Sequence, residues 1–339
     1  MSITITIYFL LNVILIFVIG KISYFLKLVD IPSKRKIHTR PTAYTGGIAI
    51  SLILLFAIIW FDTFDKSMSL ILSSAFLISI VGFIDDKYTL NIGGKLSLQI
   101  IPIIYLIFFE NLNLHQIGNY NFFYADLGTF SIPFTLLSLL FLINAFNYFD
   151  GIDGTLGFTT ISVFAILYFL TLKHNDHFLV NVLNVEIFLL SISIPIIVFL
   201  LFNFSCLNLP KLFLGDSGSL LLGFIVSFIL IYFANQNFIH PILLAWSVVI
   251  FVYEFLAINT IRILKRKKIF QAGKDHLHHI FLEKTKSIFL TNLFICALNI
   301  VLFGIGYLGY LLLNELASLI LFIVLFIIFF IFRNTYAKN

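Results

Sequence analysis

Charge is what this sequence has least of: Asp, Glu, Lys and Arg together make up 11% of 339 residues, against about a quarter in a soluble domain. That shortage excludes an ordinary water-soluble fold. Cysteine is nearly absent too, with Cys206 and Cys296 alone, which excludes a disulfide framework and a thiolate metal site. Both are expected as free thiols. There is no internal repeat, no low-complexity linker and no polar stretch long enough for a separate soluble domain, so 1–339 reads as one integral-membrane domain. No basic residue precedes the first apolar run and no small-residue cleavage site follows it, so that run reads as a signal anchor.

What is present is apolar surface: 60% of residues are hydrophobic and the mean hydropathy is +1.07. The apolar residues fall in runs long enough to cross about 30 Å of hydrocarbon. Eleven spans are expected, with ten as the alternative count: roughly 4–20, 46–61, 67–84, 96–109, 132–149, 156–172, 186–204, 218–234, 240–260, 288–309 and 315–332. The fold class is therefore all-α, a polytopic membrane helix bundle. The segment 111–131, with Gly118-Asn119 and Gly128 between aromatic runs, reads as a small hairpin.

Threading these spans from an outside N terminus puts every Lys and Arg except Lys66 and Lys173 on one face, which the positive-inside rule makes cytoplasmic. The pI near 9 is then explained by orientation in a bilayer, and no nucleic-acid partner is implied. The acidic residues gather on that same face. Asp85 and Asp86 end the third span in GFIDDKYTL, Asp150 and Asp153 end the fifth in NAFNYFDGIDG, and Asp216 precedes the eighth in LFLGDSGS.

A carboxylate at the membrane boundary is costly to desolvate, so its default reading is a site. Helix capping is the bland alternative. It suits Asp216 but not Asp85, Asp86 and Asp150, which end helices where the macrodipole disfavours an anion. If the last turn of the fifth span continues, Asp150 and Asp153 share a face that Asn144 and Asn147 extend. Such a stripe suits Mg²⁺ (Mn²⁺ as the alternative) with a diphosphate, because Mg²⁺ takes one or two carboxylates plus substrate oxygens. Cations share the face: Lys36 within DIPSKRKIHTRPTAYTGG, Lys95, and the basic residues flanking His276, His278 and His279 in KDHLHHIF. For the basic loop alone an orientation signal or anionic-lipid contact is the competing reading, and for the histidines a zinc site.

Five motifs in order, DIPSKRKIHTRPTAYTGG, DDKYTLNIGGKLSLQ, NAFNYFDGIDG, LFLGDSGSLLLG and HLHH, resemble those of the polyprenyl-phosphate N-acetylhexosamine-1-phosphate transferases, glycosyltransferase family 4, relatives of phospho-MurNAc-pentapeptide transferase. The resemblance covers roughly 30–280. It implies a phosphotransferase of the bacterial inner membrane, its active-site loops cytoplasmic, that moves an N-acetylhexosamine-1-phosphate, most often GlcNAc-1-phosphate, from a UDP-sugar to undecaprenyl phosphate. UMP would be released and a cell-envelope polysaccharide initiated, with Mg²⁺ or Mn²⁺ required. It further implies Asp216 as principal metal ligand, with Asp150 a further ligand and Asp85, Asp86, Asp150 and Asp153 shaping the catalytic site. Lys36 and Lys95 are similar to phosphate-contacting lysines, Asn147 matches an Asn facing the site, and Phe213 resembles the aromatic on which uracil stacks, while Asn144 joins them as a substrate-binding candidate by its place on the polar stripe. The basic residues flanking His276, His278 and His279, which attract an anion and repel zinc, assign these histidines to holding the donor. The spacing His-x-His-His resembles the sugar-1-phosphate branch and not the peptidoglycan branch, while Glu254 departs from the expected Asp. A homodimer is left open. An ion-coupled transporter is the rival class, disfavoured because its acids would lie near the bilayer midplane between repeats.

Overall fold

The computed structural model describes residues 2–32, 40–173, 179–237, 239–268, 273 and 275–336. In chain order the helices are α1 (Ser2–Phe25), α2 (Gly46–Trp60), α3 (Lys66–Tyr88), α4 (Ile92–Glu110), α5 (Ser131–Phe149), α6 (Thr155–Lys173), α7 (Leu179–Asn203), α8 (Gly215–Asn235), α9 (Pro241–Ser247), α10 (Val249–Leu264), α11 (Leu277–Thr285), α12 (Ile288–Leu312) and α13 (Glu315–Tyr336). Two short antiparallel pairs accompany them, β1 (Val29–Asp30) with β2 (Thr42–Ala43) and β3 (Gln116–Asn119) with β4 (Tyr124–Asp126). The second pair is the expected hairpin, turned by Asn121 at φ 61°.

Among the described residues nine helices are long and apolar enough to span a bilayer, or ten if α9 and α10 count as one bent span. A helix satisfies its own backbone, which is why apolar runs in hydrocarbon take this form. The chain is an all-α polytopic membrane protein. Each of the eleven expected runs is a helix, but two are not simple crossings: α2 has only 15 residues, and the run 240–260 bends by 72° between α9 and α10. The break is satisfied by a buried side chain. Asn299 of α12 accepts the Ile250 N–H at 3.4 Å and donates to Ser247 O at 3.2 Å and Ser162 Oγ at 3.0 Å.

Two compact units emerge, Met1–Glu110 with His177–Val226, and Asn111–Asp176 with Ser227–Asn339. In the first, α2 packs on α1, α3 and α7, and α4 on α3. In the second, α12 packs on α6, α9, α11 and α13, and α10 on α5 and α13. The apolar stretch of α8 is 94% buried and that of α13 only 11%, so α8 is enclosed by protein while α13 presents its apolar surface to lipid. Cys206 lies in a short turn after α7 and Cys296 in α12, and both thiols are free.

Candidate active site

In the first unit three segments meet at the start of α8. The strand-like residues before it are anchored on the loop ahead of α2: Phe213 N–H donates to Ala43 O at 2.8 Å, and Gly46 and Gly47 N–H donate to Phe213 O and Leu214 O at 3.0 and 2.9 Å. Gly215 then turns the chain at φ 73°, and a Cβ there would sit 2.6 Å from both Asp86 Oδ2 and Tyr44 O, so only glycine fits. The turn aims the first free N–H groups of α8 at a carboxylate. Asp86 accepts from Asp216 N at 2.9 Å and Ser217 N at 3.2 Å, satisfying donors that a helix start leaves open.

Capping, set aside above for Asp86 because it ends its own helix, is thus made to a different helix. The argument from local position fails because the macrodipole that matters belongs to α8. Asp85 does part of the same work nearer home: its Oδ1 accepts the Leu90 N–H at 2.7 Å beyond the end of α3, where Thr89 is left-handed at φ 48°.

The other oxygen of Asp85 points at Lys95, whose Nζ lies 2.8 Å from Asp85 Oδ2 and also contacts the Asp216 carboxylate. Two carboxylates therefore converge on one cation-sized point. This bears on Mg²⁺. Among the described residues no group of three or more His, Cys, Asp and Glu comes together to hold a metal, but Mg²⁺ needs only one or two carboxylates when substrate phosphates complete its shell. Asp85 and Asp216 are hard oxygen donors that already share a cation, so they fit the ion. The ring of Phe213 has Lys211 Nζ 5.4 Å from its centroid. Lys36 lies outside the described residues.

In the second unit α5 stops at Phe149, and Asp150 departs from helix at φ −84°, ψ 48°. Asp150 and Asp153 hence lie on a turn that closes at Gly154, φ 76°. The helical face that a continued last turn would have given them is absent, because α5 ends at Phe149. Asn144 does lie in α5 and donates to Leu140 O at 2.8 Å, and Asn147 offers its carbonyl to Asp150 N–H at 3.3 Å. The turn is held by α12: the buried Asn292 donates to Asp153 O at 2.8 Å and accepts from Thr155 Oγ1 at 2.6 Å.

That turn meets the histidines. His278 is buried with Nε2 lacking any hydrogen-bond partner among the described residues, and a Cβ added to Gly151 would overlap this atom. The His276 and His278 rings are nearly parallel at 5.5 Å, and His279 is 4.4 Å from His278. Arg262 Nη2 lies 3.5 Å from His276 Nε2, which leaves the proton of the neutral ring on Nδ1. Burial, reinforced by Arg262, pushes the His276 imidazole down to about 4, and burial beside His279 and His276 holds His278 well below the usual range. Both shifts favour the neutral imidazole, so His276 and His278 offer single neutral hydrogen bonds.

Asp275, just before them, receives a two-point contact from Arg262, Nε to Oδ2 at 3.1 Å and Nη2 to Oδ1 at 2.7 Å. Against the opposing effect of burial, this guanidinium holds the Asp275 carboxyl below its ordinary value. Tyr148 lies under Arg262 and donates to Asn259 Oδ1 at 3.3 Å. Glu254, the departure noted above, is committed to Arg333 through two hydrogen bonds of 2.7 and 2.8 Å. Reading by spans missed Arg333, because it was placed in a tail after residue 332 whereas α13 continues to Tyr336. The available signal was a lone cation at the end of an apolar run. Asn292 carried no signal beyond being a polar residue in such a run.

Known proteins are similar to this chain in sequence. Undecaprenyl-phosphate alpha-N-acetylglucosaminyl 1-phosphate transferases of Yersinia pestis and Escherichia coli (strain K12) are each 28% identical over 279 and 280 residues, covering 81% of this chain and 75% and 74% of theirs. A probable undecaprenyl-phosphate N-acetylglucosaminyl 1-phosphate transferase of Bacillus subtilis (strain 168) is 29% identical over 285 residues, 77% of this chain and 72% of its own. The family model of glycosyl transferase family 4 matches residues 68–234, the stretch that runs from α3 to the end of α8 and holds Asp85, Asp86, Lys95, Asp150, Asp153 and Asp216. The chain is thus similar to these transferases over most of its length and to the model of glycosyl transferase family 4 over the stretch that carries the capped helix start and the glycine-bounded turn.

Proposed function

We propose that this protein transfers N-acetylglucosamine-1-phosphate from UDP-N-acetylglucosamine to undecaprenyl phosphate, releasing UMP, as the first membrane step of a cell-envelope polysaccharide. The observation that carries the reading is Lys95 held between Asp85 and Asp216, a charge arrangement suited to phosphate chemistry, in a chain whose relatives bear that activity in their names.

In the reaction an oxygen of the lipid phosphate forms a bond to the sugar-bearing phosphorus, and the bond from that phosphorus to the bridging oxygen breaks, leaving on UMP. The lipid phosphate has a second pKa near 6 and is mostly dianionic at neutral pH, so no strong general base is needed. The barrier to lower is repulsion between two anions, which positioned positive charge reduces. Lys95 supplies such a charge at Asp85 and Asp216. Mg²⁺, when bound by Asp216 and Asp85 together with substrate oxygens, supplies Lewis-acid stabilisation of the charge that builds on phosphate. His276 and His278, held neutral, donate or accept single hydrogen bonds to the donor, and His279 stands beside them. Asp150 and Asp153 orient the substrates from the turn packed on His278.

The same reading places the protein in the bacterial inner membrane with the reaction on the cytoplasmic side, supported by the basic residues gathered on one face of the threaded chain. The test is purified protein with undecaprenyl phosphate and a panel of UDP-sugars, measuring UMP release. Release with UDP-N-acetylglucosamine that depends on Mg²⁺ is expected. Release only with UDP-MurNAc-pentapeptide, or with no donor, overturns the proposal.

A further inference from the structure

The groups that fix the histidine segment come from the last membrane helix. α13 is apolar and mostly turned to lipid, yet Arg333 near its C-terminal end is 1% exposed. A cation at a helix end ordinarily reaches outward to the polar interface. Arg333 instead turns inward to Glu254, also 1% exposed, with Nε 2.7 Å from Oε2 and Nη2 2.8 Å from Oε1.

Burying both charges is favourable only where geometry is good and the remaining hydrogen-bonding capacity is used. Here it is spent on a single target. Arg333 Nη2 also donates to Asp275 O at 2.7 Å, and Glu254 Oε1 also accepts the Leu277 N–H at 2.9 Å. Those two backbone groups lie on either side of His276. Three residues along α13, Tyr336 accepts a hydrogen bond from Lys284 Nζ at 2.7 Å, near the far end of α11. The end of α13 therefore grips α11 at both ends. Arg262 holds the side chain of Asp275.

We propose that Arg333 is a positioning residue: paired with Glu254, it fixes the peptide groups flanking His276 and so sets where the His276 and His278 rings stand. Arg333 itself touches no substrate. The proposal rests on the reading that these histidines hold the nucleotide-sugar donor, and its consequence is selective for that substrate. A two-point guanidinium contact is also something lysine cannot reproduce in full.

The experiment uses the full chain in detergent, with Arg333→Met, Arg333→Lys and Glu254→Gln. Hydrogen–deuterium exchange is followed over 275–285, and the KM values for UDP-N-acetylglucosamine and undecaprenyl phosphate are measured separately. Arg333→Met is expected to speed exchange in 275–285 and raise the donor KM, each by about tenfold or more, while the acceptor KM stays within about twofold. Arg333→Lys should recover part of both. Unchanged exchange in 275–285, equal rises in both KM values, or a lysine variant no better than methionine overturns the proposal. Should Arg333→Met fail to fold, Glu254→Gln, nearly the same size, decides by the same exchange measurement. If the wild type releases no UMP from any donor, the functional reading fails while the exchange data still decide whether Arg333 positions the segment.

Discussion

Asp86 and Asp216 are joined through the backbone: the carboxylate at the end of α3 accepts the N–H of Asp216 at 2.9 Å, 130 residues further along the chain. The bond fixes where the Asp216 side chain begins, and Lys95 then fixes where it ends. Two aspartates of similar appearance in sequence thus have different work, one structural at α8 and one facing the shared cation.

Replacing Asp86 by Ala should cost about 1–2 kcal/mol of stability, the range for loss of a helix N-terminal acceptor. Asp86→Asn keeps one acceptor and should recover much of it. Thermal unfolding in detergent measures both, and an Ala variant as stable as wild type would remove the cap from the account.

Asp216→Asn and Lys95→Met should each lower turnover by about a hundredfold or more, since each removes a charge at the convergent point, while leaving unfolding temperature close to wild type. Asp216→Asn should also weaken Mg²⁺ dependence. Wild-type turnover by the Asn variant at low Mg²⁺ would remove Asp216 as a ligand.

Gly151→Ala places a methyl group onto His278 Nε2, so either the 150–153 turn or the histidine segment must shift. A displacement of that size should reduce turnover by about a hundredfold. UMP release measures it, and an active Ala variant would show that turn and histidine need not touch during the reaction.

His276 and His278 are neutral in the folded chain, His276 down to about 4, and protonate near 6.5 once unfolded. Between those values the unfolded state binds more protons, so stability should fall as pH drops from about 6.5 toward 4. Replacing His276 by Gln should flatten that slope in thermal unfolding measured from pH 8 to 5. Acid loss of activity near pH 6 should persist in the variant, since it follows the lipid phosphate.

Run length and the one-sided distribution of Lys and Arg are properties of the chain read in one dimension, so the helices from α1 to α13 that cross hydrocarbon were legible in the sequence. So were the motifs holding Asp85, Asp86, Asp150, Asp153, Asp216 and the histidines, because spacing along the chain identifies them. Partners were not legible. That Asp86 caps α8, that Lys95 stands between Asp85 and Asp216, that Gly151 abuts His278 and that Arg333 serves the backbone beside His276 all depend on which distant segments pack together. A hydrogen bond is decided over about 3 Å in space, and separations of tens to hundreds of residues are brought to that distance only by the tertiary fold.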